Sequence, residues 1–135
     1  LIVGCPANQP NQPNQRINKF TKMATILIAG GSGMIGTHLS KMFQEKGYEV
    51  LHLSRRKRPG TAFETYQWDI GKGYIDPEAV ERADYAINLA GAGVADKRWT
   101  ARRKQVLIDS RVETARLLMS GFEQLGKTPR AYLSS

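Results

Sequence analysis

The sequence predicts an α/β fold, a doubly wound parallel sheet in strand order 3-2-1-4-5 that stops after its fifth strand. Three observations carry the expectation. From Thr25 onward, short apolar runs alternate with segments of helical period, the pattern of strands covered on both faces and joined by helices. The first run, residues 25–29, empties directly into spaced glycines and then a helix. The last run, Ala131-Tyr132-Leu133, follows a long helical segment ended by Gly126 and Pro129, so strands and helices keep taking turns to the end of the chain.

The first strand, Thr25-Ile-Leu-Ile-Ala29, has no polar alternation. The glycines after it fit two spacings at once, Gly31-x-Gly33-x-x-Gly36 and Gly30-x-x-Gly33-x-x-Gly36. Both belong to dinucleotide-binding turns. A turn glycine reaches backbone angles closed to other residues, a second lets the main chain approach a pyrophosphate, and a third lets helix and strand pack closely. The unpaired N–H groups of the first helical turn then face the anion, and the helix dipole favours negative charge there. An ordinary strand-to-helix turn is the competing reading, but strand, glycines and helix occur in the order a Rossmann-like fold requires. A nucleoside-triphosphate P-loop is disfavoured because no Lys-Ser or Lys-Thr follows Gly36. In the helix that follows, Ile35, Leu39, Met42 and Phe43 fall on one face, and Gly47 supplies the stop.

Composition bounds the rest. The 135 residues allow one domain with a real core. Residues 1–22 are dominated by Asn, Gln and Pro with no helical or strand period, so they are expected to be a disordered tail, leaving residues 23–135 as the folded domain. The tail's apolar start is too short for a signal peptide, and Met23 reads as the natural first residue. A cytoplasmic location is expected, with organellar import left open because the tail carries no acidic residue. Setting aside the tail's Arg16, Lys19 and Lys22 reduces the net charge from +8 to +5, which suits a nucleotide as well as a nucleic acid. The single cysteine, Cys5, excludes an internal disulfide, and no metal cluster is expected. No apolar run approaches membrane-spanning length.

The second strand, Glu-Val-Leu-His-Leu at residues 49–53, is followed by Ser54-Arg55-Arg56-Lys57-Arg58. In a dinucleotide fold the residue about 20 positions beyond the glycines meets the adenosine ribose; an acid there binds the 2′-hydroxyl of NAD, whereas Arg accommodates a 2′-phosphate. No acid is present. Ser54 can donate a hydrogen bond, and Arg55 or Arg56 can clamp phosphate or stack on adenine. A solvated basic loop or a nucleic-acid patch would have the same composition, but the placement favours NADP. His52 is expected to be packed or exposed without a role, and His38 to lie on the helix surface.

Residues 63–68, aromatic and β-branched, form the third strand, with Asp69 at its C-terminal end, placed either to accept from the adenine amino group or to cap the turn before Gly71 and Gly73. Asp76-Pro77 starts a short helix. Residues 85–90 form the fourth strand, and Gly91-Ala92-Gly93 lets its end approach a ligand on the nicotinamide side; Asn88 is expected to tie the strand end to neighbouring backbone. The long helix that follows is capped by Thr100, with Ile108, Val112, Ala115, Met119 and Phe122 as its apolar stripe. Arg102, Arg103 and Lys104 in its first turns oppose the dipole unless an anion lies close. The fifth strand is an apolar edge, from which poor solubility or self-association is expected.

These residues resemble the extended short-chain dehydrogenases/reductases, and within them the NADP-binding epimerase-like branch related to UDP-galactose 4-epimerase, the NAD-dependent epimerase/dehydratase family. The resemblance rests on Ile28-Ala29-Gly30-Gly31-Ser32-Gly33-Met34-Ile35-Gly36, Trp68-Asp69, Asn88-Leu89-Ala90-Gly91, Arg98-Trp99 and Asp109-Ser110-Arg111, and covers residues 24–135. It implies that Gly30, Gly33, Met34 and Ile35 contact the pyrophosphate, with Gly36 packing helix on strand. Arg55 and Arg56 would take the 2′-phosphate, Asp69 adenine, and Leu89, Ala90 and Gly91 the nicotinamide ribose. Ser110 stands where many extended members carry a cofactor-contacting Asn, and Lys104 or Arg111 is a further candidate for an anion contact.

The family's chemistry uses a Tyr, a Lys four residues later that lowers its pKa, and a Ser or Thr that holds the substrate oxygen. No tyrosine here has a lysine at the fourth position after it, and Ser134-Ser135 resembles the start of the run that contains the catalytic serine. The chain is therefore expected to be the cofactor-binding portion of an oxidoreductase or epimerase whose substrate is a small molecule, inactive alone. A non-catalytic dinucleotide-sensing or interaction protein is the alternative; nucleic acid and membrane are not expected partners.

Overall fold

In the computed structural model, which describes residues 23–135, β1 (Thr25–Ala29) is buried along its whole length, as its unbroken apolar sequence requires. The segment expected to be a disordered tail lies outside the described residues. β1 is the centre of a sheet: β2 (Glu49–Ser54) pairs parallel on one side and β5 (Tyr85–Asn88) on the other. β3 (Glu64–Asp69) extends the sheet beyond β2, and β6 (Ala131–Ser134) extends it beyond β5, both parallel. The parallel body has the expected order. One addition corrects a wholly parallel sheet: β4 (Tyr74–Ile75) folds back antiparallel on β3, giving a mixed six-strand sheet β4-β3-β2-β1-β5-β6. Its two residues are too few to show a period, which is why the pattern did not announce it.

The sheet separates two layers. Leu27, Leu51, Leu53, Tyr66 and Trp68 face α2 (Pro77–Arg82) and α3 (Ala101–Gln124), meeting Val80, Leu117, Leu118 and Phe122. On the other face Ile26, Ile28, Val50 and Ile87 pack with Phe43 of α1 (Met34–Glu45) and with Tyr48, Phe63 and Tyr85. Buried side chains of this size contribute roughly 1.5–3 kcal/mol each relative to exposure.

Three expectations need correction in detail. Along α3 the buried face is Leu107, Thr114, Leu117, Leu118, Gly121 and Phe122, while Ile108 and Val112 are exposed. Of the apolar stripe read from the sequence, Phe122 is buried and Ala115 and Met119 are half-buried, but the buried face turns from Ile108 and Val112 to take in a threonine and a glycine that a hydrophobicity count passes over. A Cβ on Gly121 would stand 2.9 Å from the Ile75 side chain, so glycine is what allows α3 to sit this close to β4. Ile35, assigned to the packed face of α1, is exposed, since the first turn of α1 stands beyond the end of the sheet. The fourth parallel strand ends at Asn88 rather than Ala90, so Leu89 and Ala90 are already loop.

At the N-terminal ends of the strands, away from the glycine turn, Arg82 ties the edge together. Its guanidinium lies 2.6 Å from Glu49 and 2.9 Å from Glu64. The Tyr66 hydroxyl beside it is pushed up to about 12 by burial and by its bonds to Glu64 and Glu78, so it is neutral at physiological pH.

Candidate functional site

The C-terminal ends of β1, β2, β3 and β5 share one edge of the sheet, and nearly all the residues singled out from the sequence stand along it. Gly30 closes β1 with φ +80, and a Cβ there would lie 2.8 Å from the carbonyl carbon of Leu89. Gly36 is buried in the first turn of α1, where a Cβ would meet the Gly30 oxygen at 2.5 Å. These two glycines are needed by the fold itself. Gly33 is different: its φ is −73 and a Cβ would come no nearer than 3.4 Å to the Gly30 oxygen. Nothing among the described residues requires a glycine there, since a Cβ would make only an ordinary contact.

Helix ends make the same contrast. Asp76 caps α2 by accepting from the Glu78 N–H at 3.1 Å, and Thr100 caps α3 by accepting from the Arg103 N–H at 3.1 Å. The start of α1 has no side-chain cap. Its first-turn N–H groups therefore point outward without a partner from their own helix, beside Met34 and Ile35, which are 88% and 60% exposed.

Ser54 ends β2, its hydroxyl accepting from the Arg56 N–H at 3.4 Å. Arg55 and Arg56 follow it, exposed and without an acidic partner among the described residues. Asp69 ends β3 and accepts from the Lys72 N–H at 3.1 Å, so it caps its turn, with its side chain 39% exposed. Leu89 donates its N–H to Ala29 at 2.9 Å, which joins the loop after β5 to the mouth of β1.

That loop is held from α3. Asn88, fully buried, accepts from the Ala90 N–H and donates to the Thr114 hydroxyl, each at 3.1 Å, the structural task expected of it. Ser110 accepts from the Ala92 N–H at 3.0 Å. Arg111 reaches the Ala92 oxygen at 3.3 Å and packs its stem on Gly91, and Arg103 reaches the Gly93 oxygen at 2.6 Å. In this structure Ser110, Arg103 and Arg111 thus shape the loop's backbone. Lys104 is exposed. Trp99 donates its indole N–H to the Val94 oxygen at 3.0 Å. Among the described residues no group of three potential metal ligands occurs, and no helix is long and apolar enough to cross a membrane.

His52 is packed, one of the two placements expected of it, but its partner was not read from the sequence. It is buried under the glycine turn, 2.7 Å from the Ser40 hydroxyl and 4.9 Å from the Phe63 ring. Burial holds its imidazole below the usual histidine range, hence neutral. The signal was present: β2 shows no alternation, so a histidine within it had to be buried and needed a partner.

The model of the NAD dependent epimerase/dehydratase family matches residues 26–135. An epimerase family protein of Mycobacterium bovis is 33% identical over 103 residues, 76% of this chain and 34% of that protein. The crystal structure of the human epimerase family protein SDR39U1 with NADPH superposes with TM-score 0.63 at 31% identity, covering 81% of this chain and 35% of that one. MoeE5 in complex with UDP-glucuronic acid and NAD has the same fold, with TM-score 0.61 at 21% identity, over 82% of this chain and 36% of its own. The chain spans about a third of the length of the curated relatives it matches.

Two outcomes follow from this geometry. Gly36→Ala is expected to cost about 1–3 kcal/mol through overpacking against backbone that cannot yield, whereas Gly33→Ala leaves the melting temperature within about two degrees of the parent. Equal losses would contradict the distinction between them. His52 resists protonation in the folded chain, so the unfolded chain binds more protons as pH falls below about 6.5. Its contribution to stability is complete above that pH and lost as pH falls toward its lowered folded value. Melting temperature should drop between pH 7.5 and 5.5, and drop less in His52→Gln; identical profiles would contradict the assignment.

Proposed function

The chain belongs to the NAD dependent epimerase/dehydratase family, and on that premise we propose that it is the NADP(H)-binding portion of a short-chain dehydrogenase/reductase-type oxidoreductase or a nucleotide-sugar-epimerase-like enzyme. The observation that carries the reading is the uncapped start of α1, where Gly33 is a glycine the fold itself does not require, on the same sheet edge as two exposed arginines that lack an acidic partner. One end of that edge suits a pyrophosphate and the other a further phosphate.

The residues present fit the cofactor. Gly30, Gly33, Met34 and Ile35 would border the pyrophosphate, with Gly36 bringing α1 onto the turn. Ser54, Arg55 and Arg56 would hold the 2′-phosphate, and Asp69, once its turn is capped, has a second carboxylate oxygen for the adenine amino group. Leu89, Ala90 and Gly91 would line the nicotinamide ribose, with Ser110 acting through the loop backbone it holds. When bound, the cofactor supplies hydride transfer; this chain's own residues bind and orient it. The proton that accompanies hydride movement needs a Tyr and Lys that these residues do not pair, and general acid–base help contributes about 10²–10⁴-fold. The second reading, a non-catalytic dinucleotide sensor, is favoured by that missing pair alone; a Tyr-x-x-x-Lys encoded beyond Ser135 would decide for the enzyme. The edge of β6, with Leu133 49% exposed, is a surface for self-association of the chain on its own.

Preference for NADPH is measurable without a substrate. Hydrogen bonds to charged groups contribute about 1.5–3 kcal/mol each, so loss of one weakens NADPH roughly tenfold to a hundredfold. Arg55→Ala with Arg56→Ala should do so while leaving NADH almost untouched. Equal weakening of both would remove the 2′-phosphate assignment.

A further inference from the structure

We propose that His52 is a positioning residue for the glycine turn: its imidazole, anchored to α1 through Ser40, is the surface on which Gly31 rests, and it fixes the direction of the α1 first-turn N–H groups. The inference rests on the dinucleotide reading of that turn.

The hydrogen-bond chain has one self-consistent direction. Ser40, with no exposed surface, lies 2.6 Å from the Gly36 oxygen and gives its single hydroxyl proton to it. The 2.7 Å bond to His52 must then run from the imidazole Nε2–H to the Ser40 oxygen. A strand residue is thereby connected through a helix side chain to the carbonyl of the last glycine of the turn.

Steric contact adds a second constraint. A Cβ on Gly31 would fall 2.4 Å from His52 Cδ2 and 2.5 Å from Nε2, so the Gly31 backbone lies directly against the ring. Phe63, 4.9 Å away and tilted by 31°, limits the ring from β3's side. The imidazole is held by a directed bond and by contacts, and Gly31 and Gly36 are both located by it. An aliphatic side chain would fill much of this volume but leave the Ser40 oxygen without its donor. Glutamine keeps a donor at similar reach.

The test compares the parent chain with His52→Leu, His52→Gln and Ser40→Ala, reading the dissociation constants of NADPH and NADH by fluorescence titration and, without ligand, amide hydrogen exchange across residues 30–37. His52→Leu is expected to weaken both dinucleotides by about tenfold, because the pyrophosphate is common to them, and to speed exchange in the turn. His52→Gln should recover most of both effects. Should His52→Leu fail to fold, Ser40→Ala, which keeps the ring but removes both its anchor and the bond to the Gly36 oxygen, is expected to show the same pattern. Parent-like affinity and exchange in the variant that folds, or failure of glutamine to recover either, overturns the inference. If the parent binds neither dinucleotide, the dinucleotide reading fails by itself, and exchange in the turn still decides whether His52 positions it.

Discussion

Backbone meeting backbone at the mouth of β1 is the constraint on which the remaining structure depends. Gly30 brings the chain within contact of Leu89, and Gly36 brings α1 within contact of Gly30 and Gly31. Neither approach tolerates a side chain. Together they set the angle at which α1 leaves the sheet and the distance at which the loop after β5 passes it. The sheet supplies the platform, since β1 is buried throughout and carries parallel partners on both sides.

The protein treats its helix starts unequally, and the inequality has physical content. Capping side chains at α2 and α3 satisfy donors that would otherwise lack partners, a contribution of about 0.5–2 kcal/mol each. The α1 start forgoes that contribution. The dinucleotide site proposed above accounts for it, since an anion at this end is favoured by both the free N–H groups and the dipole. The loop after β5 shows the complementary strategy: Asn88, Ser110, Arg103 and Arg111 all secure main-chain atoms there, so a loop with two glycines is kept in one shape beside the turn.

Much of this was legible in the sequence. The order of the parallel strands followed from apolar runs separated by helical periods, and the Asp76 and Thr100 caps followed from residue type and place. The packed face of α3 was legible only at Phe122, because Thr114 and Gly121 are buried for hydrogen bonding and close approach rather than for hydrophobicity. The antiparallel β4 is too short for any period. His52 and Ser40 lie 12 residues apart on different elements, and only the fold brings them together. Ser110 and Arg111 stood out by resemblance, but that Ser110 meets the amide of Ala92 and Arg111 its carbonyl depends on how α3 crosses the loop.

The uncapped turn between β1 and α1 is the proposed seat of a dinucleotide pyrophosphate. Backbone amide resonances of the chain, followed as NADPH is added, test it most directly. Saturable shifts are expected, concentrated at Gly33, Met34, Ile35 and Gly36, with the side-chain-capped starts of α2 at Glu78 and α3 at Arg103 much less affected. Saturable binding whose shifts leave that turn unmoved, or no binding at millimolar NADPH by a folded chain, would contradict it.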